Sequence, residues 1–199
     1  MTRGLTARLF VAIDPPPAAC EELAEWARRA MGALVAPTAR GPARPARVLA
    51  AQALHLTLCF LGSRPVGEIE ALASALGSCA ADACELSLGA PLWLPRRRPR
   101  ALAVEVHDRT GELARLQETV TRALSHAGGW RPKRRGFRPH ITVARMRAGA
   151  GSARDAPPLP ATPQLHFIAE SVVLHRSWLA QDGATYETIA RHRLRPSAR

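Results

Sequence analysis

Two short stretches pair a histidine with a threonine two residues on: His55-Leu56-Thr57, within Leu54 to Leu58, and His140-Ile141-Thr142, within Phe137 to Arg145. Imidazole titrates closest to neutrality of the side chains, so it can hold or release a proton at physiological pH. A hydroxyl can donate to an oxygen on which charge is building. In an extended strand alternate side chains share a face. His55 and Thr57 then point one way while Leu54, Leu56, Leu58 and Phe60 point the other. His140 and Thr142 stand in the same way against Ile141 and Val143. A single triplet of this kind reads as a solvated histidine on a strand. Two of them, each in an apolar strand and each preceded by a strand and a helical segment, read as one cleft with a proton-transferring histidine and a hydroxyl on either wall.

The elements that must position them follow in chain order. Arg8 to Ile13 is a β-rich run that stops at Asp14-Pro15-Pro16-Pro17. Leu23, Trp26, Ala27, Ala30, Met31 and Leu34 recur at helical spacing and define an amphipathic helix with Trp26 on its core side, ending near Gly32 to Ala36. Residues 37–46 are a loop rich in Pro, Gly and Arg before the first histidine strand, which Gly62 is expected to close. Val66 to Ala81 reads as a second helix, Cys84 to Leu94 and Ala101 to Val106 as strands, and Gly111 to Ala127 as a third helix on the stripe Leu113, Leu116, Val120 and Leu124. The second histidine strand follows. Residues 147–163 form a further loop. Leu165 to Leu179 and Thr185 to Leu194 are then two strands about the turn Gln181-Asp182-Gly183. Strand, helix and histidine strand thus occur in that order twice, from Phe10 and again from Leu102. This predicts a single α+β domain over residues 1–199, with two pseudo-symmetric lobes. Each lobe is an antiparallel sheet with helices on its outer face, and the two enclose a central cleft.

Composition bounds the rest: 199 residues, 47% hydrophobic and 22% charged, is enough chain for one substantial core. No window approaches the roughly 18 apolar residues of a membrane span, and Met1 to Phe10 lacks the apolar run of a signal peptide, so a cytoplasmic monomer is expected. Cys20, Cys59, Cys79 and Cys84 show neither a Cys-x-x-Cys pair nor zinc spacing and read as small buried residues. The net charge of +12 suits a polyphosphate ligand. Yet Lys133 is the only lysine beside the arginines, which points to compositional drift as the competing explanation. Two clusters are more local: Arg96-Arg97-Arg98 with Arg100, and Arg131, Lys133, Arg134, Arg135 and Arg138, the second leading into the His140 strand.

The same residues carry a resemblance. Arg8 to Ile13 resembles the opening strand of the two-histidine phosphoesterase superfamily, and within it that of the bacterial and archaeal RNA 2′,3′-cyclic phosphodiesterases, formerly called 2′-5′ RNA ligases. His55-Leu56-Thr57-Leu58-Cys59-Phe60-Leu61-Gly62 resembles the first motif of that family, Phe137 to Arg145 its second, and Val172 to Leu179 with Gly183 and Tyr186 its closing hairpin. Cys59 departs from a position that is often longer and basic, and the loops 37–46 and 147–163 carry little likeness.

The resemblance implies metal-free, cofactor-free hydrolysis of an RNA 2′,3′-cyclic phosphate end to a 2′-phosphate, on tRNA fragments or other RNA ends. Such a reaction needs a base for the attacking water and an acid for the departing ribose oxygen on opposite sides of phosphorus. By resemblance His55 is the donor to the leaving 3′-oxygen and His140 the acceptor from water; the residues alone fix the pair and not which does which. Thr57 and Thr142 are expected on the non-bridging oxygens, with Arg145 adding charge. By strict alternation Arg145 falls on the apolar side of its strand, so a strand end or a bulge at Ala144 is required to turn it inward. Phe10, Phe137 and Tyr186 are candidates to stack on a base, with core packing the main expectation for Phe10. His107, His126, His166, His175 and His192 are read as structural or solvated. An RNA-binding module with incidental histidines, and action on a small cyclic nucleotide or a 2′-5′ linkage, stay open. So does a metallohydrolase, although neither motif has the Asp, Glu or His-x-His spacing that would complete a ligand set.

Overall fold

The computed structural model describes residues 5–35, 46–96, 98–132, 136–146, 158–180 and 183–196. Its strands are β1 (Thr6–Ile13), β2 (Ala46–Val48), β3 (Leu56–Pro65), β4 (Cys84–Leu94), β5 (Ala101–Asp108), β6 (His140–Met146), β7 (His166–Ala169), β8 (Ser171–Ala180) and β9 (Gly183–Arg193). Its helices are α1 (Pro17–Val35), α2 (Ile69–Gly77) and α3 (Glu112–Ala127). All nine strands join one antiparallel sheet in the order β7-β4-β5-β6-β3-β1-β8-β9, with β2 beside β6. Each expected lobe is one half of this sheet: a histidine strand at the centre, its opening strand next, then two more outward. The fold is α+β as the sequence predicts, and the two lobes are continuous through the backbone.

The seam between the halves is the pairing of Leu56 with Ile141, both without exposed surface. The helices then cross over it. α1, which follows β1 of one half, packs on β2 and β6 of the other, and α3, which follows β5, packs on β3 and against α2. Among the described side chains α1 and α3 bury the stripes their spacing announces, Leu34 lying outside that description. Leu23, Trp26, Ala27, Ala30 and Met31 of α1 are in the core, as are Leu113, Leu116, Val120 and Leu124 of α3. Burying four such side chains on α3 contributes on the order of 1.5–3 kcal/mol each before chain entropy is charged. Trp26 also donates its indole N–H to the Ala161 carbonyl at 2.8 Å, which ties the segment ahead of β7 to α1. The start of α3 is held by Asp108, whose carboxylate accepts from the backbone N–H of Leu113 at 2.7 Å and of Thr110 at 2.9 Å. The four cysteines are free and buried, as expected.

Four boundaries differ from the sequence reading. The first histidine strand begins at Leu56, so Leu54 and His55 precede it. Gly62 does not end its strand: at φ +74° it takes a left-handed turn that only glycine adopts without strain, and β3 runs on to Pro65. The helix expected over Val66 to Ala81 is a 3-10 turn at Val66–Glu68 followed by a shorter α2. The strand expected over Leu165 to Leu179 is broken at Glu170, because β7 pairs with β4 in one half and β8 with β1 in the other. Most of the loops at 37–46 and 147–163 lies outside the described residues, as do Arg97, the Lys133 to Arg135 stretch and the tip Gln181-Asp182.

Candidate active site

The seam sets the two motifs side by side. One step either way from the Leu56–Ile141 pair, the antiparallel register puts His55 opposite Thr142 and Thr57 opposite His140. Both imidazoles are tied in the same manner. His55 Nδ1 lies 2.9 Å from the carbonyl of Ala53, and His140 Nδ1 lies 2.7 Å from the carbonyl of Arg138, each two residues upstream. A carbonyl only accepts, so Nδ1 carries the proton, and in the neutral ring Nε2 is left with its lone pair. Backbone geometry thus puts both imidazoles and both hydroxyls on one face of the sheet, toward the space in front of the seam.

Two β-bulges decide what else faces that space. Along β5 and β6, Ala103 pairs with Thr142 and Leu102 with Ala144, so Val143 is an extra residue on β6. Alternation therefore shifts by one, and Arg145, paired with Ala101, emerges on the face that carries Thr142 and His140. The bulge needed to turn Arg145 inward is present, one residue earlier than Ala144. On β3, Thr57 pairs with Ala12 and Cys59 with Val11, which makes Leu58 the extra residue. This corrects the sequence reading of Phe60. Strict alternation puts Phe60 with the buried leucines, whereas the bulge sends Cys59 inward and leaves Phe60 across from Phe10 on the cleft face, 68% exposed. Backbone carbonyls beside the bulge are held from below, that of Phe60 by the Trp130 indole at 3.2 Å and that of Leu58 by Gln117 Nε2 at 3.5 Å.

Behind His55 stands an aromatic wall. Phe10 lies 4.8 Å from the His55 ring, 6.5 Å from Phe60 and 5.0 Å from His175, on which it is stacked, while Tyr186 meets both His55 and Phe10 edge-on at 5.0 and 5.2 Å. Phe10 is buried, as expected of it, but within the cleft wall. Phe137 packs against the core and Tyr186 is the candidate that reaches the site. His175, expected to be structural or solvated, is 7% exposed and its Nε2 meets Asp14 Oδ1 at 2.9 Å, while Asp14 Oδ2 accepts from Arg191 at 2.8 Å. Asp14 and His175 line a cavity of about 220 Å³ with His55, Glu21, Gln52 and Tyr186. The only trace of this in the sequence is the alternation of His175 with Leu174, which says which face it takes and nothing about Asp14. Among the described residues no three His, Cys, Asp or Glu side chains cluster closely enough to hold a metal ion. Likewise no described helix is long and apolar enough to cross a membrane.

Burial controls the charge of His55. Loss of water pushes its imidazole down to about 4, assisted by the nearby His175 and Arg145 and opposed by the Ala53 carbonyl and Asp14. Asp14 sits below the usual carboxylate range even though burial pulls it upward, because His175 and Arg191 both hold the ionised form.

A profile of the 2′-5′ RNA ligase superfamily matches residues 15–177. The RNA 2′,3′-cyclic phosphodiesterase of Aeropyrum pernix is 30% identical over 155 residues, which is 73% of this chain and 84% of that protein. One from Geobacillus stearothermophilus is 33% identical over 141 residues, 68% of this chain and 44% of its relative. Among solved structures, E. coli LigT complexed with 3′-AMP superposes with a TM-score of 0.76 at 26% identity, over 96% of this chain and 99% of that one. A Thermus thermophilus protein, TT0787, does so with a TM-score of 0.73 at 25% identity, over 96% and 100%. The sheet and its helices are those of the LigT-like two-histidine phosphoesterases. The chain belongs to the 2′-5′ RNA ligase superfamily.

The depressed His55 pKa has a consequence for stability. Between about 6.5 and about 4 the unfolded chain binds a proton at this position that the fold refuses, so His55 makes stability fall as pH is lowered through that window. Against His55→Gln, the wild-type protein is expected to lose up to about 3 kcal/mol more between pH 7 and pH 4 in urea titrations, Asp14, His175 and Arg145 being common to both. Parallel pH profiles for the two proteins would refute the buried neutral imidazole.

Proposed function

We propose that the protein hydrolyses 2′,3′-cyclic phosphodiester ends of RNA to 2′-phosphomonoesters, with His55 and His140 as the acid and base. The observation that carries this reading is the matched pair of imidazoles at the seam, each with Nδ1 committed to a backbone carbonyl and Nε2 without a hydrogen-bond partner among the described residues. Support from likeness comes from the A. pernix relative, an RNA 2′,3′-cyclic phosphodiesterase, and from LigT, whose structure was solved with 3′-AMP.

In the proposed reaction His140 Nε2 takes a proton from water as the water oxygen attacks phosphorus. The bond from phosphorus to the 3′-oxygen breaks, His55 Nε2–H protonates that oxygen, and the phosphate stays on the 2′-oxygen. Thr57 and Thr142 donate to the non-bridging oxygens, where charge grows, and Arg145 adds a cation there. His55 is neutral in the empty cleft at pH 7. A bound phosphodiester brings an anion into the same poorly hydrated space, favours the imidazolium and so loads the acid only when substrate is present. Exposed Phe60 and the edge of Tyr186 flank this position and suit a nucleobase stacked beside the phosphate.

With an RNA ending in a 2′,3′-cyclic phosphate as substrate, His55→Ala and His140→Ala are each expected to lose on the order of a hundredfold to ten-thousandfold in turnover, the double variant little more than either. Activity should persist after exhaustive EDTA treatment; loss that a divalent ion restores would move the protein to the metallohydrolases. The two roles separate on a nitrophenyl phosphodiester, whose leaving group departs without a proton. If His55 is the donor, His55→Ala is expected to lose far less on that substrate than on the cyclic phosphate, and a smaller loss for His140→Ala instead would exchange the roles. Replacing Phe60 by Ala should weaken substrate about tenfold in kcat/KM, and Tyr should restore it. Equal activity of the Ala and Tyr variants would remove Phe60 from the site.

A further inference from the structure

A second arginine faces Arg145 across the sheet. Arg47 on β2 is the direct ladder partner of Arg145, with Ala46 against Met146 and Val48 against Ala144 on either side. Ala46, Val48, Ala144 and Met146 pack on the core, so the two guanidinium side chains leave by the opposite face, the one that carries Thr142 and His140. Both arginines are exposed. Like charges directly opposite one another on paired strands repel. No carboxylate is within ion-pair reach of either arginine among the described residues, and Glu105, the acidic group on the same face of β5, is taken by Arg138 at 2.7 Å. The Arg145 charge is felt at His55, whereas Arg47 stands one strand, about 5 Å, farther along the wall.

We propose that Arg47 and Arg145 form a two-cation cradle for RNA, in which Arg145 serves the cyclic phosphate and Arg47 holds the neighbouring phosphate of the chain. The inference rests on the phosphodiesterase reading and adds to it a preference for an RNA end over a free cyclic nucleotide. A mononucleotide 2′,3′-cyclic phosphate has a single phosphate and nothing for Arg47 to hold. A guanidinium suits this task because its planar fork gives two parallel donors to one phosphate, where lysine offers a point charge. The unfavourable pairing in the empty protein is relieved when an anion sits between the two cations.

The test compares a fluorescent trinucleotide ending in a 2′,3′-cyclic phosphate with cytidine 2′,3′-cyclic phosphate, using the wild-type protein, Arg47→Gln and Arg47→Lys. Arg47→Gln is expected to lower the ratio of kcat/KM for trinucleotide over mononucleotide about tenfold. It should also remove about 0.7 from the log–log salt slope of binding to the trinucleotide product with its 2′-phosphate end, measured by fluorescence anisotropy. Arg47→Lys should restore the slope and only part of the ratio. In the absence of RNA the melting temperature of Arg47→Gln should not fall, since the change relieves repulsion. An unchanged ratio and slope, an equal loss on both substrates, or a lowered melting temperature would overturn the cradle. Failure of the phosphodiesterase reading looks different: the wild-type protein would turn over neither substrate, and the anisotropy slope would still decide whether Arg47 meets a phosphate.

Discussion

The pairing of Leu56 with Ile141 is the contact on which the site depends. It is the place where the two histidine strands touch, and neither residue retains exposed surface. Because the strands run antiparallel, this one pair forces each histidine to lie beside the threonine of the other motif. Apolar burial at the seam thereby sets the relation between the two histidines and the two threonines. The crossed helices reinforce it: α1 bears on β6 and α3 on β3, so the halves cannot separate without exposing the core sides of both helices. His140 opens β6 and His55 stands one residue ahead of β3, and the Nδ1 hydrogen bonds to Ala53 and Arg138 leave each ring little freedom to turn.

Much of this was legible in the sequence because period-2 alternation is a direct readout of strand faces. Leu56 and Ile141 sit where alternation puts them, and the stripes of α1 and α3 are buried as their spacing requires. What alternation cannot register is an inserted residue. Leu58 and Val143 are apolar and buried, so each looks like an ordinary core position, yet each shifts the faces of everything after it. Alternation puts Phe60 on the wrong side for this reason, and Arg145 requires a bulge whose location no composition marks. His175 and Asp14 lie far apart in sequence, joined only by the β1–β8 pairing, and no local pattern links them.

Electrostatics in the cleft runs against the protein as a whole. The chain carries a net charge of +12, yet the imidazole at the centre is kept neutral by burial, with cationic neighbours adding to the effect. Asp14 answers part of that charge and is itself held by His175 and Arg191. The result is a pocket in which burial disfavours a further positive charge.

The strand order carries a further consequence, for synthesis rather than chemistry. The half that contains His55 is built from β1, β3, β8 and β9, the first and last strands of the chain, while most of the other half comes from the middle. On the ribosome β1 and β3 must therefore wait, with one edge of β1 unpaired, until β8 and β9 have emerged. Asp14 likewise waits for His175 and Arg191 to close the wall behind His55. Such long-range pairing slows folding and leaves a strand edge open to association in the nascent chain. No growing fragment short of β9 contains the complete wall beside His55, because Tyr186 and Thr188 come from that strand.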